Sequence, residues 1–443
     1  MAALREGEVL RRLGPQETGW HTLFCKSDGA SLLQYSLVVD SQQRLSSEQV
    51  QQALEALQRQ IPMLRTRVEE RDDGPYLVAG ACPSVQLTVL PPGGDWLDQH
   101  HCLLQQTKID PRTGPLWRAC LLHDPANIAP PVASSHRAVL YLSLCHTITD
   151  GLSNAKLCGK LLENLDCLLR GLGIADGEPA PVYPSVEELL QSQVSVWSWS
   201  FVWNMAWDLL SRLIEPTKSQ LLDKFVKPFD PSQPAGTYST ATVAVTVPAP
   251  EVARLRALCR AHGVSLNAAL SAAVSFAGAR LSGVGGDQSA HLPTVWLVNA
   301  RRYLPSTDWM FLSTVAGVRL DVRVEHADVA EFWSVAEPER GGLGGAELSG
   351  CLYSVNNLGS LERVLPRTTA VRAVELHRSV RAPPALADTF GSHCFQTVAG
   401  QLCYDLNYVR GRVAEADAAH FSRLVVEVLA EVAAPSDTET DAE

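Results

Sequence analysis

The chain has 443 residues, enough for roughly two or three domain-sized units, and its 46% hydrophobic and 19% charged content excludes a disordered protein. A formal charge of −11 argues against a nucleic-acid-binding surface but leaves room for a local basic patch toward a phosphate-bearing ligand. The 11 cysteines are scattered, odd in number and without a C-x-x-C pair, which points to free thiols in a reducing, intracellular compartment. The opening MAALREGEVLRRLG is too charged for a signal peptide, and no uninterrupted apolar run is long enough to span a bilayer. A cytoplasmic location is expected.

Taken in chain order, RRLGP at 11–15, with Gln16 and Glu17, reads as a polar lead-in before Trp20–Phe24. Leu32–Val39 reads as a strand. Ser46 or Ser47 can cap a helix through Val50, Leu54, Leu57 and Ile61 that breaks at Pro62. Arg65–Glu70 and Tyr76–Val78 form a hairpin turned by Asp72, Asp73 and Gly74. Val85–Val89 is a further short strand, Trp96–Gln106 a helix, and Leu116–Leu122 a strand that should pair near the central one. That central strand is Ala138–Cys145, an apolar run without clean alternation, as expected of a strand buried on both faces. It stops at His146. Asp150 then caps a helix in which Leu152, Ala155, Leu157, Leu161, Leu162, Leu165, Leu168 and Leu169 recur at helical spacing.

The Gly- and Pro-rich stretch 171–184 reads as a linker and a domain boundary. Residues 185–225 read as helical and contain Trp197, Trp199, Trp203 and Trp207, with Ser200, Asn204, Asp208 and Ser211 as a narrow polar stripe. Two readings stand: a helix packed on the body or across a cleft, or a lid over a lipophilic channel. Low basic content argues against membrane contact. After a second linker, Lys227–Gly236, come a strand at Thr240–Val247 and a helix started by Pro248 and Pro250. Ser265 caps an apolar helix, Leu266–Leu281. Val295–Val298 is a short buried strand ending at Asn299-Ala300-Arg301-Arg302, and Leu312–Val322 is strand-like. Cys351–Val355 runs into Asn356-Asn357-Leu358-Gly359. Cys394–Val398 and Gln401–Tyr408 form a hairpin, Ala414–Val432 a last helix, and PSDTETDAE an acidic, disordered tail. The fold class is therefore α/β, in two units joined by a crossover. The expected boundaries are 1–175, a crossover at 176–236, 237–433, and a tail at 434–443.

A titratable ring at the end of a buried strand, with a carboxylate close behind, is where a general base belongs. The plainer alternative is that Asp150 only caps and His146 only hydrogen-bonds within a loop. In a chain with 12 histidines the H-x-x-x-D spacing alone does not decide between them. Competing chemistry is absent from the sequence: there is no G-x-x-x-x-G-K-[ST] and no G-x-S-x-G. Gly341–Gly345 follows charged residues, not a strand, and reads as a loop. His100-His101-Cys102 is adjacent rather than spaced along one helical face, so no metal site is expected.

RRLG near the start, HTITDG at 146–151, HGVSLNAALSAA at 262–273, VNARRYL at 298–304, NNLGSL at 356–361 and VAGQLCYDLNY at 398–408 occur in that order. As an ordered set they resemble the coenzyme A-dependent acyltransferase superfamily. The nearest branches are condensation domains of non-ribosomal peptide synthetases, alcohol O-acetyltransferases and polyketide-associated acyltransferases. The resemblance covers nearly the whole chain outside the Trp-rich segment and the tail. It implies two chloramphenicol-acetyltransferase-like lobes forming a V-shaped pseudo-dimer, with the catalytic histidine in a tunnel between them.

Carried over, His146 is the general base, and Asp150 pairs with an arginine of the other lobe, Arg301, with Arg302 as the alternative. Gly151 lets backbone N–H groups approach an oxyanion, and Asn357 has an architectural or acceptor-binding role. The resemblance implies no bound cofactor, acyl-coenzyme A as co-substrate, an alcohol or amine acceptor, no metal, no nucleic acid, and a monomer. Two departures stand out. Condensation-type members carry a second histidine where this chain has Cys145, and Asp388-Thr389-Phe390-Gly391 matches the plant-type D-F-G-W-G poorly. Cys145 motivates a different class of reading, a non-catalytic binding or scaffold protein. A donor carried on a carrier-protein arm is the remaining alternative.

Overall fold

In the computed structural model, the apolar run ahead of His146 is a strand, His136–Cys145, and every residue of it after His136 is buried. The structure describes residues 4–83, 85–129, 131, 135–175, 177–191, 220–234, 236–283, 289–299, 301, 304, 313, 316–324, 329–336 and 351–434. Its strands, in chain order, are β1 (Val9–Arg12), β2 (Leu32–Ser41), β3 (Thr66–Arg71), β4 (Gly74–Ala79), β5 (Leu87–Val89), β6 (Trp117–His123) and β7 (His136–Cys145). They continue as β8 (Ser239–Val247), β9 (Ala290–Val298), β10 (Ala316–Val324), β11 (Tyr353–Ser360), β12 (Val371–Val380), β13 (Gly391–Val398) and β14 (Gln401–Arg410). The helices that matter for the site are α1 (Pro15–Lys26), α2 (Ser47–Gln60), α3 (Trp96–Gln106) and α4 (Gly151–Leu169).

The chain folds as two units, each α/β as expected. The first comprises Met1–Ser198, Asn299–Val315 and Ser360–Pro383, and the second Trp199–Val298, Ala316–Gly359 and Pro384–Glu443. This corrects the contiguous division into 1–175 and 237–433. The reason is a strand the sequence pattern did not announce, β12, which pairs antiparallel with β2 in the first unit, Leu376 opposite Leu37 and His377 opposite Ser36.

The first unit is built on a mixed sheet ordered β12-β2-β7-β6-β5, with a separate ribbon β1-β4-β3. All of β2 is buried, and it faces β7 with Leu37 opposite Leu140 and Val38 opposite Val139, so the two strands form the dry centre of the sheet. β6 pairs antiparallel on the other side of β7, as expected of the segment 116–122. Charge is admitted to this centre only in pairs: Arg137 Nε and Nη2 donate to the two oxygens of Asp40 at 2.7 and 3.0 Å. α2 begins at a capping box, with Ser46 Oγ accepting from Gln49 N at 3.1 Å and Gln49 Oε1 accepting from Ser46 N at 3.0 Å. It packs on α4. His100, on α3, has Ser36 Oγ at Nδ1 and Ser379 Oγ at Nε2, both at 2.7 Å, so it ties α3 to β2 and β12.

The lead-in at 11–17 is ordered structure: β1 followed by α1. Glu17 is buried on α1 because Arg11 grips it, with Nη1 and Nη2 on its two oxygens at 2.6 Å each. The second unit carries a six-stranded sheet ordered β10-β9-β11-β13-β14-β8. Its core helix, Leu266–Ser282, is capped by Ser265, whose Oγ accepts from Ala268 N at 3.1 Å. Small residues on that helix allow close packing on the helix Glu415–Val432. β9 is longer than the expected Val295–Val298, and β10 begins four residues later and ends two later than the expected Leu312–Val322. The Trp-rich segment, Arg302, Gly341–Gly345 and the tail beyond 434 lie outside the described residues. Among the described residues no single helix is long and apolar enough to cross a membrane.

Gly159 tests the packing of α4. A Cβ there would overlap the Val364 carbonyl oxygen, which is backbone and cannot turn aside. Alanine gains about 1 kcal/mol over glycine in helix propensity, yet overpacking of this kind costs about 1–3 kcal/mol. Gly159→Ala should therefore lower the urea midpoint; an unchanged or raised midpoint would show that the loop at 364 yields.

Candidate active site

β7 delivers the chain to His146 with Cys145 N still bonded to Leu116 O at 2.9 Å, and the tight turn that follows is closed by Ile148 N to Cys145 O at 3.3 Å. Ile148 is fully buried and anchors that turn. The His146 ring is only 6% exposed. One face is covered by Trp20 of α1, the ring centroids 4.4 Å apart and the planes within 6°. Nδ1 lies 3.2 Å from Ser313 Oγ. Burial lowers the pKa of His146 below its ordinary 6.5, while the nearby Asp150 charge and hydrogen bonds to the main chain at His146 and Thr149 oppose the shift. The folded protein thus favours the neutral ring, the form in which a histidine can accept a proton.

Asp150 caps α4 through Oδ1, which accepts from Ser153 N at 2.9 Å. The same carboxylate receives Arg301 bidentately, Nη1 to Oδ2 at 2.6 Å and Nη2 to Oδ1 at 2.9 Å. Nη2 also donates to Ser153 Oγ at 2.7 Å. Both side chains are nearly inaccessible, 4% for Arg301 and 5% for Asp150. A fork of this kind fixes position as well as charge. Arg301 belongs to the segment Asn299–Val315, which folds with the first unit although it lies 151 residues further along the chain. Two further bonds hold the turn: Thr149 Oγ1 donates to Asn154 Oδ1 at 2.6 Å, and Tyr35 OH donates to the Gly151 carbonyl at 3.2 Å.

The structure thus brings together His146, Asp150, Gly151 and Arg301. Asn357 is placed on β11 of the second unit, where its Oδ1 accepts from Gly359 N at 2.8 Å and braces a residue with φ of +75°. Cys145 is buried and its pKa is pushed well up by desolvation, so it stays a neutral core thiol. Sequence reasoning missed Trp20, Ser313 and Ser153. No local signal marks them, since each acts through a partner distant in the chain or in the turn of a helix.

A condensation-domain family model matches residues 22–295, and the chain belongs to the condensation-domain family. Solved structures share the fold over almost the full length. The polyketide synthase associated protein 5 of Mycobacterium tuberculosis is 17% identical, with 96% of this chain and 99% of that one covered at a TM-score of 0.65. The epimerization domain from the third module of tyrocidine synthetase B is 14% identical, covering 98% of each chain at 0.65. A trichothecene 15-O-acetyltransferase from Fusarium sporotrichioides is 14% identical, covering 96% and 95% at 0.65. At these identities the likeness is one of fold. A search of curated protein sequences finds no significant match. Family membership, with an acetyltransferase among the structural relatives, supports an acyl-transfer or condensation type of activity.

Two measurements test the geometry. Because its folded pKa is lowered, His146 contributes stability above its unfolded value of 6.5, and that contribution is lost as pH falls through the folded value. In an NMR titration the ring should titrate below 6.5, and Asp150→Asn should move it lower still, since the Asp150 charge raises it. A ring titrating above 6.5 would contradict the buried environment. Arg301→Ala leaves a buried carboxylate without its main partner and should cost about 3–5 kcal/mol in chemical unfolding; a loss under ~1 kcal/mol, the worth of a surface pair, would contradict the clamp.

Proposed function

We propose that the chain is an acyltransferase that moves an acyl group from a thioester, acyl-coenzyme A, to a hydroxyl or amine. The observation that carries the proposal is the neutral, stacked His146 ring beside an Asp150 already committed to Arg301. With the carboxylate occupied by a guanidinium and an N-cap bond, His146 is the one group in this cluster suited to take a proton.

In this reading Nδ1–H donates to Ser313 Oγ, which leaves the Nε2 lone pair for the acceptor. Nε2 removes the acceptor proton as its oxygen or nitrogen attacks the thioester carbonyl. The tetrahedral intermediate collapses by breaking the carbon–sulfur bond, and the imidazolium returns the proton to the departing thiolate. No acyl-enzyme forms at His146. N–H groups at the start of α4, opened by Gly151, stabilise the developing oxyanion. Base catalysis of this kind supplies about 10²–10⁴-fold, with positioning supplying much of the rest. Trp20 acts on the ring's position and solvation, so Trp20→Leu should lower kcat more than it raises KM.

A second reading, in which the thioester sits on a carrier-protein arm, is favoured by the synthetase domain among the structural relatives. The test is release of free thiol from a panel of acyl-coenzyme A thioesters with pooled alcohols and amines, beside acylated carrier protein, for wild type and His146→Ala. Acceptor-dependent release that falls by at least about 100-fold in the variant is the expected result. Release only from the carrier protein would select the second reading. Full activity in His146→Ala would overturn both, and a folded wild type inert with every donor would leave the scaffold reading that Cys145 motivates.

A further inference from the structure

The first unit has a cavity of about 410 Å³ whose wall is formed by α1, β3 and the turn after α3. Its volume lies within the range of about 300–1,000 Å³ typical of small-molecule pockets. Phe24 and Ile109 supply an apolar floor. Opening onto it are Cys25, which is exposed, and His21, which is 6% exposed. They are a helical turn apart on α1, so their side chains share one face. Cys25 Sγ lies 3.9 Å from His21 Nδ1 and 3.8 Å from Nε2. Glu70 Oε1 is 2.8 Å from the same ring's Nε2. A carboxylate can only accept, so Nε2 carries the hydrogen, and in its neutral form the ring has its lone pair on Nδ1. Thiol, base and orienting carboxylate are the three parts of an activated nucleophile. None of them belongs to the His146 cluster, although Trp20, the residue before His21, stacks on His146.

We propose that Cys25 is an S-acylation site, charged by acyl thioesters that enter this cavity, with His21 as base and Glu70 as its orienting group. The proposal rests on the reading that the chain handles acyl thioesters. His21 Nδ1 takes the thiol proton as Sγ attacks the thioester carbonyl. The carbon–sulfur bond to the donor then breaks, and the donor thiolate leaves with the proton from His21, so that acyl-S-donor plus Cys25 thiol becomes acyl-S-Cys25 plus donor thiol. The base is needed because burial and the neighbouring Glu70 charge raise the pKa of Cys25 above 9.0, leaving the thiol protonated at rest. Its nucleophilicity is then set by the histidine beside it.

The test uses the full chain carrying His146→Ala, which silences the proposed transfer site, incubated with octanoyl-coenzyme A or with octanoyl-N-acetylcysteamine. Intact mass and peptide mapping should show a single octanoyl group on Cys25, removed by neutral hydroxylamine and absent from Cys25→Ser. His21→Asn, checked for an unchanged melting temperature, should slow acylation by about 100-fold. Should that variant not fold, Glu70→Gln, an exposed position, should slow acylation instead. No adduct on Cys25, or adduct formation indifferent to both substitutions, overturns the proposal. If acceptor-dependent thiol release by the wild-type chain persists alongside that result, only the Cys25 site fails; if release is absent too, the acyltransferase reading fails with it.

Discussion

The buried fork between Arg301 and Asp150 is the constraint on which the candidate site depends. A carboxylate and a guanidinium removed from water repay their desolvation only when geometry is good and the remaining hydrogen-bonding positions are filled. Here the Ser153 amide and hydroxyl fill two of them, so one ion pair locks the N-terminus of α4 and ties a distant segment of the chain to it. The turn from His146 to Asp150 is thereby fixed at both ends: by β7 in the sheet on one side, and by the capped and clamped helix on the other.

The sheet sets where that turn falls. β7 is paired along both edges, with β2 and β6, and is buried almost throughout, so its end point is rigid. A side chain just beyond such a strand inherits its precision. His146 gains two further restraints, the Trp20 face and the Ser313 hydroxyl, that set the tilt of the ring and its environment. A lowered pKa follows from the same burial that the packing imposes. Stability and chemistry thus share a cause: the polar groups of the site are held by partners they cannot exchange for water.

Much of this was legible in the sequence where burial follows apolar pattern. The run 138–145 reads as a doubly covered strand, and the leucine periodicity after Asp150 as a helix with that residue at its cap. What stayed hidden was burial by polar residues. α1 turns Glu17, His21 and Phe24 inward, and its first inward residue is a carboxylate neutralised by Arg11. β12 buries His377, Arg378 and Ser379 against β2 and α3, so no apolar run marks it as a strand. Without β12 the first unit could not be seen to include chain from beyond residue 360. Asn357, singled out by resemblance for an architectural or acceptor-binding role, stands within β11 and braces Gly359.

The most direct test of the claim that the clamp exists to aim His146 is a double-mutant cycle on acceptor-dependent thiol release with Asp150→Ala, Arg301→Ala and the pair. If the two residues act as one device, each single substitution should cost nearly as much rate as the double, so that their coupling energy approaches the whole effect. Additive losses, or a single variant with undiminished rate, would contradict the account.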